Sequence, residues 1–140
     1  MLRHGDAEDG SPDSERRLTK KGERQSGLAG EALAALDAGI ETCLTSPRVR
    51  ALQTARIACE ALDLEPEVEA ALQGGRFDAP TLASGRGTVL LVGHEPDFSG
   101  VVQELTGARV AFKKGGLAAI TDGELRLLLT PRAIAAIAEL

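Results

Sequence analysis

The sequence predicts an α/β protein of three layers (αβα): a mainly parallel central sheet covered by helices on both faces, with an antiparallel hairpin at one edge. Three observations predict it. Thr88-Val89-Leu90-Leu91-Val92 is apolar almost throughout, as a strand buried on both faces must be. Elsewhere β-prone runs alternate with stretches whose apolar residues recur at helical spacing, the order from which parallel sheets are built. Asp122-Gly123 stands between two strand-like runs, Leu117 to Thr121 and Glu124 to Thr130, and is a strong hairpin turn.

Taken in order, the chain opens with a strand of which only Met1 and Leu2 precede Arg3-His4-Gly5. A strand usually has about 5–6 residues, so either this one is truncated or the true start lies upstream. Residues 6–17 are polar, carry Gly10 and Pro12, and read as a surface loop. Thr19 can then cap a helix with Leu28, Ala29, Ala32, Leu33 and Leu36 on its buried face, ending before Gly39. Ile40 to Thr45 reads as the second strand, and Ser46-Pro47 as the turn that starts a second helix with Ala51, Leu52, Ala55, Ala58 and Leu62 inward. Glu67 to Glu69 is a candidate short strand. Residues 70–86 hold three glycines and Pro80, with Gly87 just after, and read mostly as loop, with one helical turn near Pro80 to Ala83. The central strand ends at Gly93-His94, and Phe98, Val101, Val102 and Leu105 mark a third main helix. Thr130-Pro131 opens a terminal helix with Ile134, Ile137 and Ala138 inward.

With 140 residues the chain makes one domain, 1–140, able to bury about 68–70% of its unfolded surface. Aromatic residues are only 2% of it, which leaves no stacking platform for bases, and the net charge of −5 argues against nucleic acid or an anionic membrane as partner. Any anion site must be small and local. Cys43 and Cys59 have neither CxxC nor Cys/His spacing and read as buried free thiols, so no metal site is expected. No apolar run reaches membrane-span length and no signal-peptide pattern opens the chain; a cytoplasmic monomer is the expectation.

Parallel sheets place ligands beyond the carboxyl ends of their strands. Three such ends carry chemistry here: Arg3-His4, Ser46-Pro47-Arg48 and Gly93-His94. Two guanidiniums and an imidazole N–H suit the three charged oxygens of a phosphoryl group, and a second imidazole can attack the phosphorus in line. His4 would have to be neutral to do so, and neighbouring arginines favour that form. His94 is better used as a donor, as the imidazolium where it faces the phosphoryl charge.

The RHG of residues 3–5, TSPRVRALQTA of Thr45 to Ala55 and VGHEPDFS of Val92 to Ser99 resemble the histidine phosphatase superfamily, the phosphoglycerate-mutase-like group. RRLTKKG (Arg16 to Gly22), FKKGGLA (Phe112 to Ala118) and the short length resemble its small bacterial phosphohistidine phosphatases, the SixA-type branch. The resemblance implies a cofactor-independent phosphatase with His4 as the nucleophile and Arg3, Arg48 and His94 as the rest of the phosphate pocket. It also brings Arg16 to the phosphate, the other reading of that residue being a solvated loop charge. Arg50 and Arg56 read as surface residues or partners of acidic side chains. Lys113 and Lys114 read as the pocket mouth or as a solvated turn.

One departure from the family pattern concerns the leaving group. Relatives that hydrolyse phosphomonoesters carry an acid in the segment after the third strand, and the aligned position here is Ala71. Glu69 and Glu95 are the nearest candidates, with Asp78 more distant. The expected substrate is therefore phosphohistidine in a phosphorylated protein. The alternatives are a small phosphorylated substrate handled as a monoester, or a phosphate-binding module without turnover. A mutase would need an enclosing lid, for which no insertion is long enough.

Overall fold

Strands and helices alternate as expected across residues 1–140, described here in a computed structural model. In chain order they are β1 (Leu2–Arg3), α1 (Lys20–Ala35), β2 (Ile40–Thr45), α2 (Val49–Leu62), β3 (Glu67–Val68), α3 (Ala79–Ala83), β4 (Thr88–Gly93), α4 (Asp97–Thr106), β5 (Leu117–Thr121), β6 (Glu124–Leu129) and α5 (Pro131–Ala138). Short 3-10 turns cover Asp13–Glu15 and Ala70–Gln73, the second within the stretch read from sequence as loop. Helix α1 stops at Ala35, short of the predicted end, because Asp37 and Gly39 both take positive φ and turn the chain into β2. Leu36, expected inward, is 44% exposed.

The sheet order is β3-β2-β4-β1-β5-β6. Strands β1 to β4 run parallel, β5 is antiparallel to β1, and β6 is antiparallel to β5. Side chains alternate across β2 and β4, and this splits the core in two. Cys43, Leu90 and Val92 meet Ala29, Ala32, Ala51, Ala55 and Ala58 of α1 and α2 on one face, together with Ile134 of α5. Leu44 and Leu91 meet Phe98, Val101 and Val102 of α4 on the other, with Phe77 and Phe112. Alanine dominates the α1–α2 side because small side chains let those two helices approach closely; a Cβ on Gly30 would stand 2.3 Å from the Ala58 carbonyl oxygen. Cys43 and Cys59 are free and each 1% exposed within the first core. Contact with Cys59, and then burial, pushes the Cys43 thiol well up.

Three parallel strands, β1, β4 and β2, are consecutive in the sheet, so their carboxyl ends lie side by side. The start of α1 is pressed against the turn that follows β1. Thr19 caps this helix by accepting from Gly22 N, and a Cβ on Gly22 would come within 2.0 Å of the Asp6 carbonyl oxygen, so only glycine fits.

Candidate active site

His4 leaves the end of β1 with its backbone held on both sides. Its N–H donates to Gly93 O of β4 (3.0 Å), and its carbonyl accepts from Gly115 N (2.9 Å) in the turn before β5. The ring is 6% exposed, and its Nδ1 lies 2.7 Å from Gly5 O. A carbonyl can only accept, so Nδ1 carries the proton and Nε2 keeps the lone pair. Arg50 Nε donates to that nitrogen at 3.3 Å. Thr54, one turn after Arg50 on α2, accepts from Gly5 N (3.1 Å) and donates to Arg50 O (2.8 Å), tying the helix to the loop under His4.

His94 follows β4, 6% exposed, with its ring centroid 5.3 Å from that of His4. Its Nε2 is 2.7 Å from Ser46 Oγ, which itself accepts from Arg48 N (3.2 Å). The hydroxyl hydrogen is then free for Nε2, and we assign the ring's own proton to Nδ1. That Nδ1 is buried without a hydrogen-bond partner, as is Arg3 Nε; Arg3 is otherwise anchored by its NH1 on Phe112 O (2.7 Å). Buried donors without acceptors are rare in folded proteins, and here one belongs to the residue before His4 and the other to the imidazole packed beside its ring.

Both histidines are neutral. Burial is the first cause of the lowering of His4 to about 4, the Gly5 carbonyl opposes it, and the cations Arg50, Arg3 and Lys114 add to it. Burial followed by His4, Arg50 and Arg48 lowers His94 to about 3, against Asp13. The arginines thus act on His4 in the expected direction. Among the protein's own groups, His94 is a neutral donor.

The arginines divide differently from the expectation. Arg50, read as a surface residue or a partner of an acidic side chain, is the second of these and also touches His4 at 6% exposure, whereas the Arg48 side chain is about one-third exposed. Both meet Asp13, which sequence reasoning left inside a polar loop. Its carboxylate accepts from Arg16 NH1 (3.0 Å), Arg50 NH2 (3.1 Å) and Arg48 NH1, and its carbonyl accepts from Arg50 NH1 (2.8 Å). Arg16 also donates from Nε to Glu8 O (2.7 Å), so it is fixed beside the cluster and is no free loop charge. Contact with Arg16, and further with Arg50, holds the Asp13 carboxyl below the usual carboxylate range. Arg56 is exposed, as read.

Neither candidate acid is free. Glu69 caps the 3-10 turn at residues 70–73 by accepting from Ala71 N (3.0 Å). Glu95 accepts from Ser99 N (2.7 Å) and from Phe112 N (3.1 Å), which makes it a brace between α4 and the loop that also anchors Arg3. Asp78 caps α3. No group of three or more His, Cys, Asp or Glu side chains is placed to hold a metal ion.

Known proteins resemble this chain in sequence and in fold. Residues 1–84 match the family model of the histidine phosphatase superfamily (branch 1). An uncharacterized protein of Picosynechococcus sp. is 34% identical, over 94% of this chain and 95% of its own length. The structure of the protein histidine phosphatase SixA complexed with tungstate superposes with a TM-score of 0.80 at 28% identity, covering 94% of this chain and 95% of that one. A putative phosphohistidine phosphatase SixA from Agrobacterium tumefaciens shares the fold (TM-score 0.79, 22% identity, 93% and 96% covered). Family model and fold thus agree, and the chain belongs to the histidine phosphatase superfamily, in its SixA-type branch.

Proposed function

We propose that the protein hydrolyses phosphohistidine through a covalent phosphoryl group on His4 Nε2. The observation that carries this reading is the state of the His4 ring: buried, neutral, proton on Nδ1, and lone pair on Nε2 beside Arg50. An incoming phosphoryl oxygen takes over the Arg50 N–H, which frees Nε2 to attack phosphorus in line with the leaving nitrogen. The P–N bond of the substrate breaks as the Nε2–P bond forms, and the departing imidazole takes a proton from water. Gly5 O holds the Nδ1 proton while Nε2 is phosphorylated. Arg3 Nε and His94 Nδ1 supply donors to the phosphoryl oxygens, with Arg48 and Arg16 at the outer edge. Water then attacks the phosphoryl group, breaks the Nε2–P bond and leaves as inorganic phosphate.

Phosphohistidine is favoured over an alkyl ester by the state of the carboxylates. An alkoxide is a strongly basic leaving group and needs a positioned acid, whereas an imidazole can be protonated from solvent. Glu69 and Glu95 are both occupied as acceptors of backbone amides, in capping and bracing positions. Acid-quench trapping with a labelled phosphoramidate tests the nucleophile: a base-stable, acid-labile phosphoprotein is expected in wild type and not in His4→Ala. Equal labelling of both proteins removes His4 from the role, and comparable kcat/KM on an alkyl phosphate moves the substrate to the ester class.

A further inference from the structure

We infer that the basic groove beside His4 docks a carboxylate-rich face of the phosphoprotein substrate. The inference rests on the phosphatase reading above and adds the surface chemistry of its partner. The groove, a cavity of about 680 Å³ with no hydrophobic side chain in its lining, runs outward from Arg3. Around it stand Lys21 of α1, Lys113 and Lys114 of the turn before β5, and Arg132 of α5, with Asp6 as the one acid.

The two flanks of His4 differ in how their charge is balanced. On the α2 side, Arg16, Arg48 and Arg50 share the Asp13 carboxylate. On the groove side only Lys114 meets a carboxylate, Asp6 at 3.5 Å, and that group already accepts from Thr19 Oγ1 (2.8 Å). Arg3, Lys21, Lys113 and Arg132 have no ion-pair partner. Glu95 acts on Arg3 and Asp6 on Lys21 only at longer range, so five cations face two carboxylates and a surplus of positive charge stands at the mouth of the site in a chain of net charge −5, where it would draw an acidic surface toward His4. Lys114 is close enough to His4 to help hold its imidazole neutral.

The form of the groove favours scattered carboxylates over a second phosphate group. Its outer cations come from three separate segments and are solvent-exposed. Exposed lysines are hydrated point charges without the bidentate geometry that a phosphate clamp uses. Such a field is strong at low salt and weak at high salt.

Two phosphohistidine peptides of equal length test the inference, one with glutamates around the phosphohistidine and one with glutamines at the same positions. At low salt the acidic peptide is expected to have the higher kcat/KM by about tenfold, and the advantage is expected to disappear at high salt. In Lys21→Glu/Arg132→Glu, both positions being exposed, the advantage should vanish at low salt as well, while phosphoramidate turnover stays within about twofold of wild type. No preference for the acidic peptide in wild type, or a preference that survives the double substitution, overturns the inference. Fluorescence anisotropy of the unphosphorylated acidic peptide separates docking from catalysis. Salt-dependent binding that is lost in the double variant supports the groove even if neither peptide is turned over, in which case only the phosphatase reading fails. Binding of inorganic polyphosphate with the same dependence, and none of the acidic peptide, assigns the groove to phosphate and overturns the carboxylate partner.

Discussion

At the scale of single residues, Arg50 and Arg48 show how two positions set side by side in sequence part company in space. Residues two apart on a helix point about 200° away from each other. Arg48 caps α2 and faces outward, while Arg50, inside the first turn, shares a helix row with Thr54 and is directed at His4. Arg50→Ala should therefore lower kcat/KM by about 10²–10³, and Arg48→Ala by about tenfold or less. Steady-state kinetics of the two variants decide it, and a larger loss at Arg48 reverses the assignment. The row Arg50-Thr54 was open to reading, since it continues the buried stripe of Ala51, Ala55 and Ala58. Asp13 was not, because its partners Arg48 and Arg50 lie 35 and 37 residues on and nothing local marks the contact.

The histidines make a second residue-scale prediction. A base lowered to about 4 or 3 is unprotonated above those values, so neither ring should gain a proton as pH falls through the ordinary imidazole range. The chain has only two histidines, and NMR of the imidazole Cε1–H groups follows both. Flat signals from pH about 8 to about 5 are expected, and a midpoint near about 6.5 for either ring contradicts the burial account. On the proposed role of His4, the proton on Nδ1 predicts that the phosphoryl group is carried on Nε2, the tele position, and ³¹P NMR of the trapped phosphoprotein distinguishes this from the other isomer.

At the scale of elements, two of the three glycines of α1 have opposite futures. Gly30 packs backbone to backbone against α2, with the Ala58 carbonyl where a methyl would go, whereas a Cβ on Gly27 would meet nothing nearer than Ile57 Cγ2 at 3.8 Å. Alanine is the better helix former by about 1 kcal/mol at either position. Gly27→Ala should gain up to that amount, and Gly30→Ala should lose about 1–3 kcal/mol through overpacking. Chemical denaturation of both variants measures the contrast; equal gains would mean that α1 and α2 are not in close contact. The elements themselves were legible where a period or a cap announced them. Ile40–Thr45 and the Asp122-Gly123 hairpin fall where the pattern puts them. The 3-10 turn at 70–73 escaped because its cap, Glu69, is not one of the residue types that ordinarily announce a helix start.

At the scale of the whole molecule, the sheet order decides which strand ends meet. The parallel run with a hairpin at its edge and the central place of β4 are readable from sequence, yet nothing in the sequence says which strands are its two neighbours. That placement depends on Leu2 pairing with Val92 across 90 residues, and without it His4 and His94 would not share a pocket. The site is legible as a set of residues at strand ends, and its assembly belongs to the fold.

The two thiols on β2 and α2 give that fold a built-in clock. Cys43 and Cys59 lie in different elements of one sealed core, so a bulky disulfide reagent can reach neither until α2 lifts from the sheet. Native protein should therefore react slowly, with both sulfurs modified at the same rate, because one opening event uncovers both. Mass spectrometry of the timed reaction reads that rate. Rapid modification of a single thiol would reveal a local opening on the helix side that leaves the strand in place.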